Sequence, residues 1–191
     1  MKAQVLNRYD DALTASSWVD YEDVADPKIT KPTDVIVRIG GAGVCRTDLH
    51  IIEGVWRPNM DPTGNQLLPL IMGHENAGWI EEVGSGVEGL EKGDPVIVHP
   101  KITDGLSLVN RRGHDMIGPG LFPGLDSSGG GYAEAMVTSV RNIVKLPTTL
   151  VPKEVAPFAD AGLTAYRVVK RATRDLMPGQ YCVVIGVGGL G

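Results

Sequence analysis

Over the first three quarters of the chain, apolar positions fall in short runs broken every few residues by Gly, Pro, Asn or Asp. The runs at residues 1–6, 34–43, 77–83, 95–98, 132–138 and 142–145 are β-rich in composition. Short runs with this punctuation predict a barrel or sandwich, not strands alternating with helices. Inside the second run, Gly40-Gly41-Ala42-Gly43 predicts a bulge or a close backbone approach just ahead of Cys45, aiming its thiol out of the wall.

After Lys145 the pattern changes. Pro147 and Pro152 bracket a connection, and residues 154–174 show apolar spacing compatible with helices, interrupted near Pro157 and Gly162. Met177-Pro178-Gly179-Gln180 reads as a turn and residues 181–185 as a fully buried strand, followed by the glycine turn Gly186-Val187-Gly188-Gly189-Leu190-Gly191. We therefore divide the chain into a first domain at 1–152, and linking helices with the beginning of a second domain at 153–191. Without flanking parallel strands, the faces and edges of 181–185 would be exposed.

The balance of apolar and charged residues is that of an ordinary globular protein. A formal charge of -5 with no basic block disfavours nucleic acid and anionic membrane surfaces as partners, and leaves small ligands as the natural class. The N-terminal residues lack the apolar core of a signal peptide, and no apolar run approaches the roughly 18 residues of a membrane span, so the default location is the cytoplasm. Cys45 and Cys182 are the two cysteines of the chain, and they lie in different kinds of segment. We expect two thiols with separate duties, one a ligand and the other core, rather than a disulfide.

The chemistry concentrates in two segments. Cys45-Arg46-Thr47-Asp48-Leu49-His50 and Gly73-His74-Glu75-Asn76-Ala77-Gly78 together offer a thiolate, an imidazole and supporting polar groups. A structural zinc is closed by about four protein ligands, whereas a catalytic one takes about three and keeps a position open. Two cysteines cannot close a four-thiolate cage, so the pattern reads as an open site. For each residue there is a plainer reading: a buried free thiol for Cys45, a turn histidine for His74, an exposed helix histidine for His50.

In combination the two segments resemble the zinc-containing medium-chain alcohol dehydrogenases, and the resemblance runs the length of the chain. It implies mixed β and α/β architecture: a GroES-like, partly open β-barrel, followed by the first strand and phosphate turn of a truncated Rossmann fold. It implies a third metal ligand at Asp160 within Pro157-Phe158-Ala159-Asp160-Ala161-Gly162, where the plainer reading is a helix cap. Glu75 matches the carboxylate that neighbours the metal, and Asp48 the one that orients the ligand imidazole. Thr47 and His50 match the two ends of a proton relay, Arg46 a contact to the cofactor pyrophosphate, and Trp56 a wall of the substrate cleft. Trp79 reads better as a strand aromatic in the core.

Many members of that family hold a second, structural zinc through four ligands spaced C-x2-C-x2-C-x7-C. Here Asp104, Ser107, Asn110 and Gly118 stand at those positions, and only Asp104 could ligate well. One catalytic zinc per chain is expected and no structural zinc. The segment 101–131 is then a long loop without its staple, expected to be mobile or supported by a neighbouring subunit.

The terminal turn, with Gly186, Gly188, Gly189, Leu190 and Gly191, directly follows a strand-like run, the context a dinucleotide turn requires. The residue about 20 positions further on, which separates NAD from NADP, lies outside the chain; NAD is favoured. Members of the family are nearly twice as long, so an incomplete molecule is expected, whose whole would be a homo-oligomer (dimer or tetramer) acting on a small alcohol or carbonyl compound. The implied activity is hydride transfer between a primary or secondary alcohol and NAD(P). A polyol or threonine dehydrogenase, or a non-catalytic zinc-binding fragment, are the alternatives.

Overall fold

The computed structural model describes residues 1–64 and 66–191. Eight strands form two antiparallel sheets. The smaller has the order β2-β1-β4, from β1 (Lys2–Leu6), β2 (Asp20–Asp23) and β4 (Leu70–Ile71). The larger has the order β7-β3-β5-β6-β8, from β3 (Asp34–Gly43), β5 (Glu75–Val83), β6 (Pro95–Val98), β7 (Ala135–Ser139) and β8 (Ile143–Lys145). Both sheets stay open, and no closed barrel forms among the described residues.

Two apolar clusters hold this frame. Val35, Val37, Ile80, Val96, Val98 and Met136 pack on the larger sheet, and Leu6, Ile51, Ile52, Leu70 and Met72 join the smaller sheet to helix α1 (Arg46–Ile52). Each side chain of this size stabilises by about 1.5–3 kcal/mol when fully buried. Cys45, which caps α1, and His74, just ahead of β5, are therefore carried on elements that these clusters pack.

The glycine run in β3 behaves as expected. The β3–β5 register shifts between Ile39 and Gly41, and a Cβ on Gly41 would lie 2.5 Å from Lys153 Cα. That approach seats helix α4 (Pro152–Val155) across β3 and β5, continuing through a 3-10 turn (Ala156–Ala159) into helix α5 (Ala161–Ala172). The division between 152 and 153 falls inside α4, and the linking segment packs on the sheet that precedes it.

Two expectations are corrected. Residues 181–185 form no strand and are exposed, with Tyr181 at 92% and Ile185 at 97%, and Cys182 is exposed rather than core. A parallel strand needs hydrogen-bonding neighbours on its flanks, and none pairs with this run among the described residues. Segment 101–131 is not an unstapled loop: it contains helix α3 (Leu108–Arg111), a 3-10 turn (Asp115–Ile117) and a polar network. Asp115 Oδ1 accepts from Thr103 Oγ1 at 2.7 Å, Asn110 Nδ2 at 3.0 Å and Arg141 Nη2 at 3.0 Å. The buried Lys101 ammonium donates to the carbonyls of Gly118 and Met116. A helix α2 (Arg57–Met60) also precedes the β4 segment.

Candidate metal centre

Three segments converge. Cys45 sits at the N-terminus of α1, in an extended conformation that turns its side chain back over the first turn. Asp48, in that turn, reaches back so that Oδ2 accepts from the Cys45 backbone N–H at 2.9 Å, fixing the thiol's entry angle. His74 follows Gly73, whose φ of +97° is one that a residue with a side chain rarely adopts. Asp160 precedes α5.

The ligand atoms of Cys45, His74, Asp160 and Glu75 all lie within 4.8 Å of one another. His74 and Glu75 are buried, while Cys45 is partly exposed and the Asp160 side chain is 25% exposed, leaving the cluster one open side. His74 Nδ1 lies 3.3 Å from Asp48 Oδ1, and Nε2 lies 3.2 Å from Asp160 Oδ2. Neither pair has hydrogen-bond alignment, so both ring nitrogens are buried polar atoms without a partner. An unclaimed imidazole nitrogen facing a thiol and a carboxylate is the donor set and softness that suit zinc. The residues fit the metal.

The helix-cap reading of Asp160 is answered by Glu75. Asp160 occupies the capping position of α5 without capping it, its Oδ1 accepting instead from the Thr164 hydroxyl. The Ala161 N–H at the start of that helix donates to Glu75 Oε1 at 2.9 Å. Glu75 Oε2 lies against Gly43, where a Cβ would come within 2.1 Å, so β3 must carry glycine there.

The charges are strongly coupled. Burial works against a charged His74, but the carboxylates of Asp160 and Asp48 on either side overcome it and push the imidazole up to about 10. The facing imidazole holds Asp160 below the ordinary carboxylate range, against the effect of burial. Burial, only partly offset by the Ala161 N–H, raises Glu75.

The other predicted residues are placed as follows. Asp48 is buried behind His74. Thr47 and His50 are half-buried on α1, three residues apart and so on one face. The His50 ring meets Trp56 edge-on at 6.0 Å, and Trp56 is 36% exposed. Arg46 is turned along its own helix, its Nη2 3.1 Å from Glu53 Oε1 and its Nε donating to His50 Nε2 at 3.2 Å. Trp79 is half-buried under the Arg38 guanidinium, 4.5 Å from its ring. Residues 186–191 are exposed, with open space around Gly186, Gly188 and Gly189. One residue at the centre was read from the sequence only as the start of a β-rich run: Tyr132, whose hydroxyl lies 2.9 Å from Asp48 Oδ2. Its signal, an aromatic directly after Gly129-Gly130-Gly131, marks a close approach but not what is approached.

An open cluster of this kind on a two-sheet scaffold defines a class, and the comparisons name it. The model of the alcohol dehydrogenase GroES-like domain matches residues 31–148. The chain is 35% identical over 195 residues to an alcohol dehydrogenase of Geobacillus stearothermophilus, covering 100% of this chain and 52% of that protein. It is 38% identical over 192 residues to D-arabinose 1-dehydrogenase (NADP(+)) of Saccharolobus solfataricus, covering 99% of this chain and 51% of that one. The crystal structure of the alcohol dehydrogenase from Aeropyrum pernix matches with a TM-score of 0.87 at 50% identity, over 100% of this chain and 54% of that one. The chain belongs to the zinc-containing medium-chain alcohol dehydrogenase family, whose members are oxidoreductases acting on small molecules. It spans about half the length of the curated relatives it matches.

Proposed function

We propose that this chain carries the metal and substrate side of a zinc-dependent alcohol dehydrogenase, transferring hydride between a primary or secondary alcohol and NAD(P). The observation that supports this most is the convergence of Cys45, His74 and Asp160 within 4.8 Å, on a cluster left open on one side. Zinc held by these three residues would supply Lewis acidity that lowers the pKa of the alcohol hydroxyl. No structural zinc is proposed, because Ser107, Asn110 and Gly118 offer no thiolate where the family places ligands.

The chain's own residues then divide the remaining work. Asp48 holds the imidazole and the Cys45 backbone in place. Glu75 secures the start of α5, leaving the Asp160 carboxylate to face the cluster. Thr47 and His50 share a half-buried face of α1, where a hydroxyl and an imidazole can pass the substrate proton outward. Trp56 walls the approach beside His50. Arg46 serves the cofactor pyrophosphate by releasing Glu53, and the glycines at 186–191 accept that pyrophosphate once a helix follows them. NAD is the favoured dinucleotide; the domain division at 152 and 153, a cytoplasmic location and a homo-oligomeric whole belong to the same reading.

A sugar or polyol substrate is the second reading, favoured by the 38% identity to the D-arabinose dehydrogenase, which uses NADP(+). A panel of alcohols, polyols and threonine with NAD+ and NADP+, run on the full-length protein, separates the two. Turnover restricted to simple alcohols supports the first reading, and turnover restricted to polyols supports the second. Dinucleotide titration of the 191-residue chain itself tests the third possibility, a zinc-binding fragment without cofactor affinity.

A further inference from the structure

Tyr132 ties together the segments that carry Cys45, Asp48 and His74. Its hydroxyl lies 2.9 Å from Asp48 Oδ2 and 3.0 Å from the Gly43 carbonyl, and its single proton sits between these two acceptors. Gly43 ends the strand that delivers Cys45, and Asp48 is the residue that faces His74. The Tyr132 ring lies against Gly73, where a Cβ would come within 2.6 Å of Cδ1, and Gly73 is the residue that turns the chain into His74. The Tyr132 backbone is committed as well: its N–H donates to Met72 O at 2.9 Å and its carbonyl accepts from Gln4 N–H at 2.7 Å. Both ends of the residue are held, so the hydroxyl has little freedom to move away from Asp48.

Asp48 needs that support. It is 2% exposed and carries two duties on two oxygens, Oδ2 accepting from the Cys45 N–H and Oδ1 facing His74 Nδ1. A buried carboxylate with one firm donor could rotate about its Cβ–Cγ bond and exchange the two oxygens. The second donor on Oδ2 stops that rotation and leaves Oδ1 directed at the imidazole. With Oδ1 held 3.3 Å from Nδ1, the imidazole keeps Nε2 on the side of Asp160, 3.2 Å from its Oδ2.

We propose that Tyr132 is a positioning residue of the zinc site, acting through Asp48 to fix the orientation and tautomer of His74. The inference rests on the reading of Cys45, His74 and Asp160 as zinc ligands. It is tested on the 191-residue chain without any turnover assay. The dissociation constant for Zn2+ is measured by competition with a chromophoric chelator in the wild type, Tyr132→Phe, Asp48→Asn and the double variant. The d–d spectrum of the Co2+-substituted forms is recorded alongside. Tyr132→Phe keeps the ring against Gly73 and removes only the hydroxyl. Partners of this kind, placed behind a ligand, typically change metal affinity 10–100-fold, and about 10-fold weaker Zn2+ binding is expected for Tyr132→Phe, with a shifted Co2+ band. In the Asp48→Asn background the same change should alter affinity less than about 2-fold, because the carboxylate oxygen that faces Nδ1, through which the hydroxyl acts, is gone. An unchanged affinity and Co2+ band in Tyr132→Phe, or an equal loss in both backgrounds, overturns the positioning role while the zinc site stands. A wild-type chain that binds no Zn2+ overturns the site and this role together.

Discussion

Asp115→Ala removes the hub of the segment that has no thiolates to hold it. Three donors lose their acceptor: Thr103 Oγ1 at 2.7 Å, Asn110 Nδ2 at 3.0 Å and Arg141 Nη2 at 3.0 Å. The Arg141 side chain is 47% exposed and finds water, so its share is that of a surface pair, below about 1 kcal/mol. Thr103 is 8% and Asn110 3% exposed, and leaving a buried donor unpaired costs about 1–3 kcal/mol each. Because the three share one oxygen their losses overlap, and a total near 3 kcal/mol is expected. At about 2–4 °C per kcal/mol for a chain of this size, Tm should fall by about 6–12 °C, read by circular dichroism. Limited proteolysis should cut within 101–118 sooner than in the wild type. The Thr103 hydroxyl, then Arg141 and Asn110, against a smaller opposing effect of burial, hold the Asp115 carboxyl below its ordinary value. Its contribution is therefore complete above the unfolded pKa near 3.8 and is lost as pH falls through the depressed folded value. The Tm gap between wild type and variant should close over that acid range. A variant with unchanged Tm and unchanged cleavage would refute the claim that this carboxylate staples the segment.

Three further outcomes follow from the geometry. Gly78→Ala places a Cβ 2.0 Å from the Arg38 carbonyl in the centre of the larger sheet, so insoluble protein or a Tm loss above about 10 °C is expected, and normal solubility and melting would contradict the β3–β5 register. In metal-free chain, His74 is raised to about 10, so its charged form stabilises below the unfolded value of 6.5 and that stabilisation is lost as pH rises through about 10. Urea titrations of wild type and His74→Gln under chelator should show a stability gap that narrows between pH 6.5 and 10, and a constant gap would speak against the flanking carboxylates. His50→Gln should lower turnover of the two-domain protein and alter its pH profile with zinc retained, and an identical profile would remove His50 from the proton path.

Much of the frame was legible in the sequence, and the exceptions share a cause. The bounds of β3 and β6 follow directly from unbroken apolar runs between turn residues. Strand β5 starts two residues before its apolar run because Glu75 and Asn76 are buried polar groups, which a hydrophobic pattern cannot count. Strand β2, Asp-Tyr-Glu-Asp, carries no such pattern and is held by backbone pairing with β1 and by polar side-chain contacts such as Lys2–Asp23 and Asn7–Asp20. Residues 181–185 mislead in the opposite direction, since an apolar run specifies burial only when something is present to cover it. The candidate metal ligands were visible because their types are rare and their motifs compact. Tyr132 and Asp115 were not, because each acts by joining segments distant along the chain: 84 residues separate Tyr132 from Asp48, and 26 separate Asp115 from Arg141.

The claim beneath all of this is that Cys45, His74 and Asp160 hold one divalent ion. Elemental analysis of never-chelated wild-type chain and of Cys45→Ser tests it most directly. The structure predicts one zinc per wild-type chain and loss of zinc from the variant. A wild-type chain without transition metal, or a Cys45→Ser variant that keeps zinc at full occupancy, would contradict it.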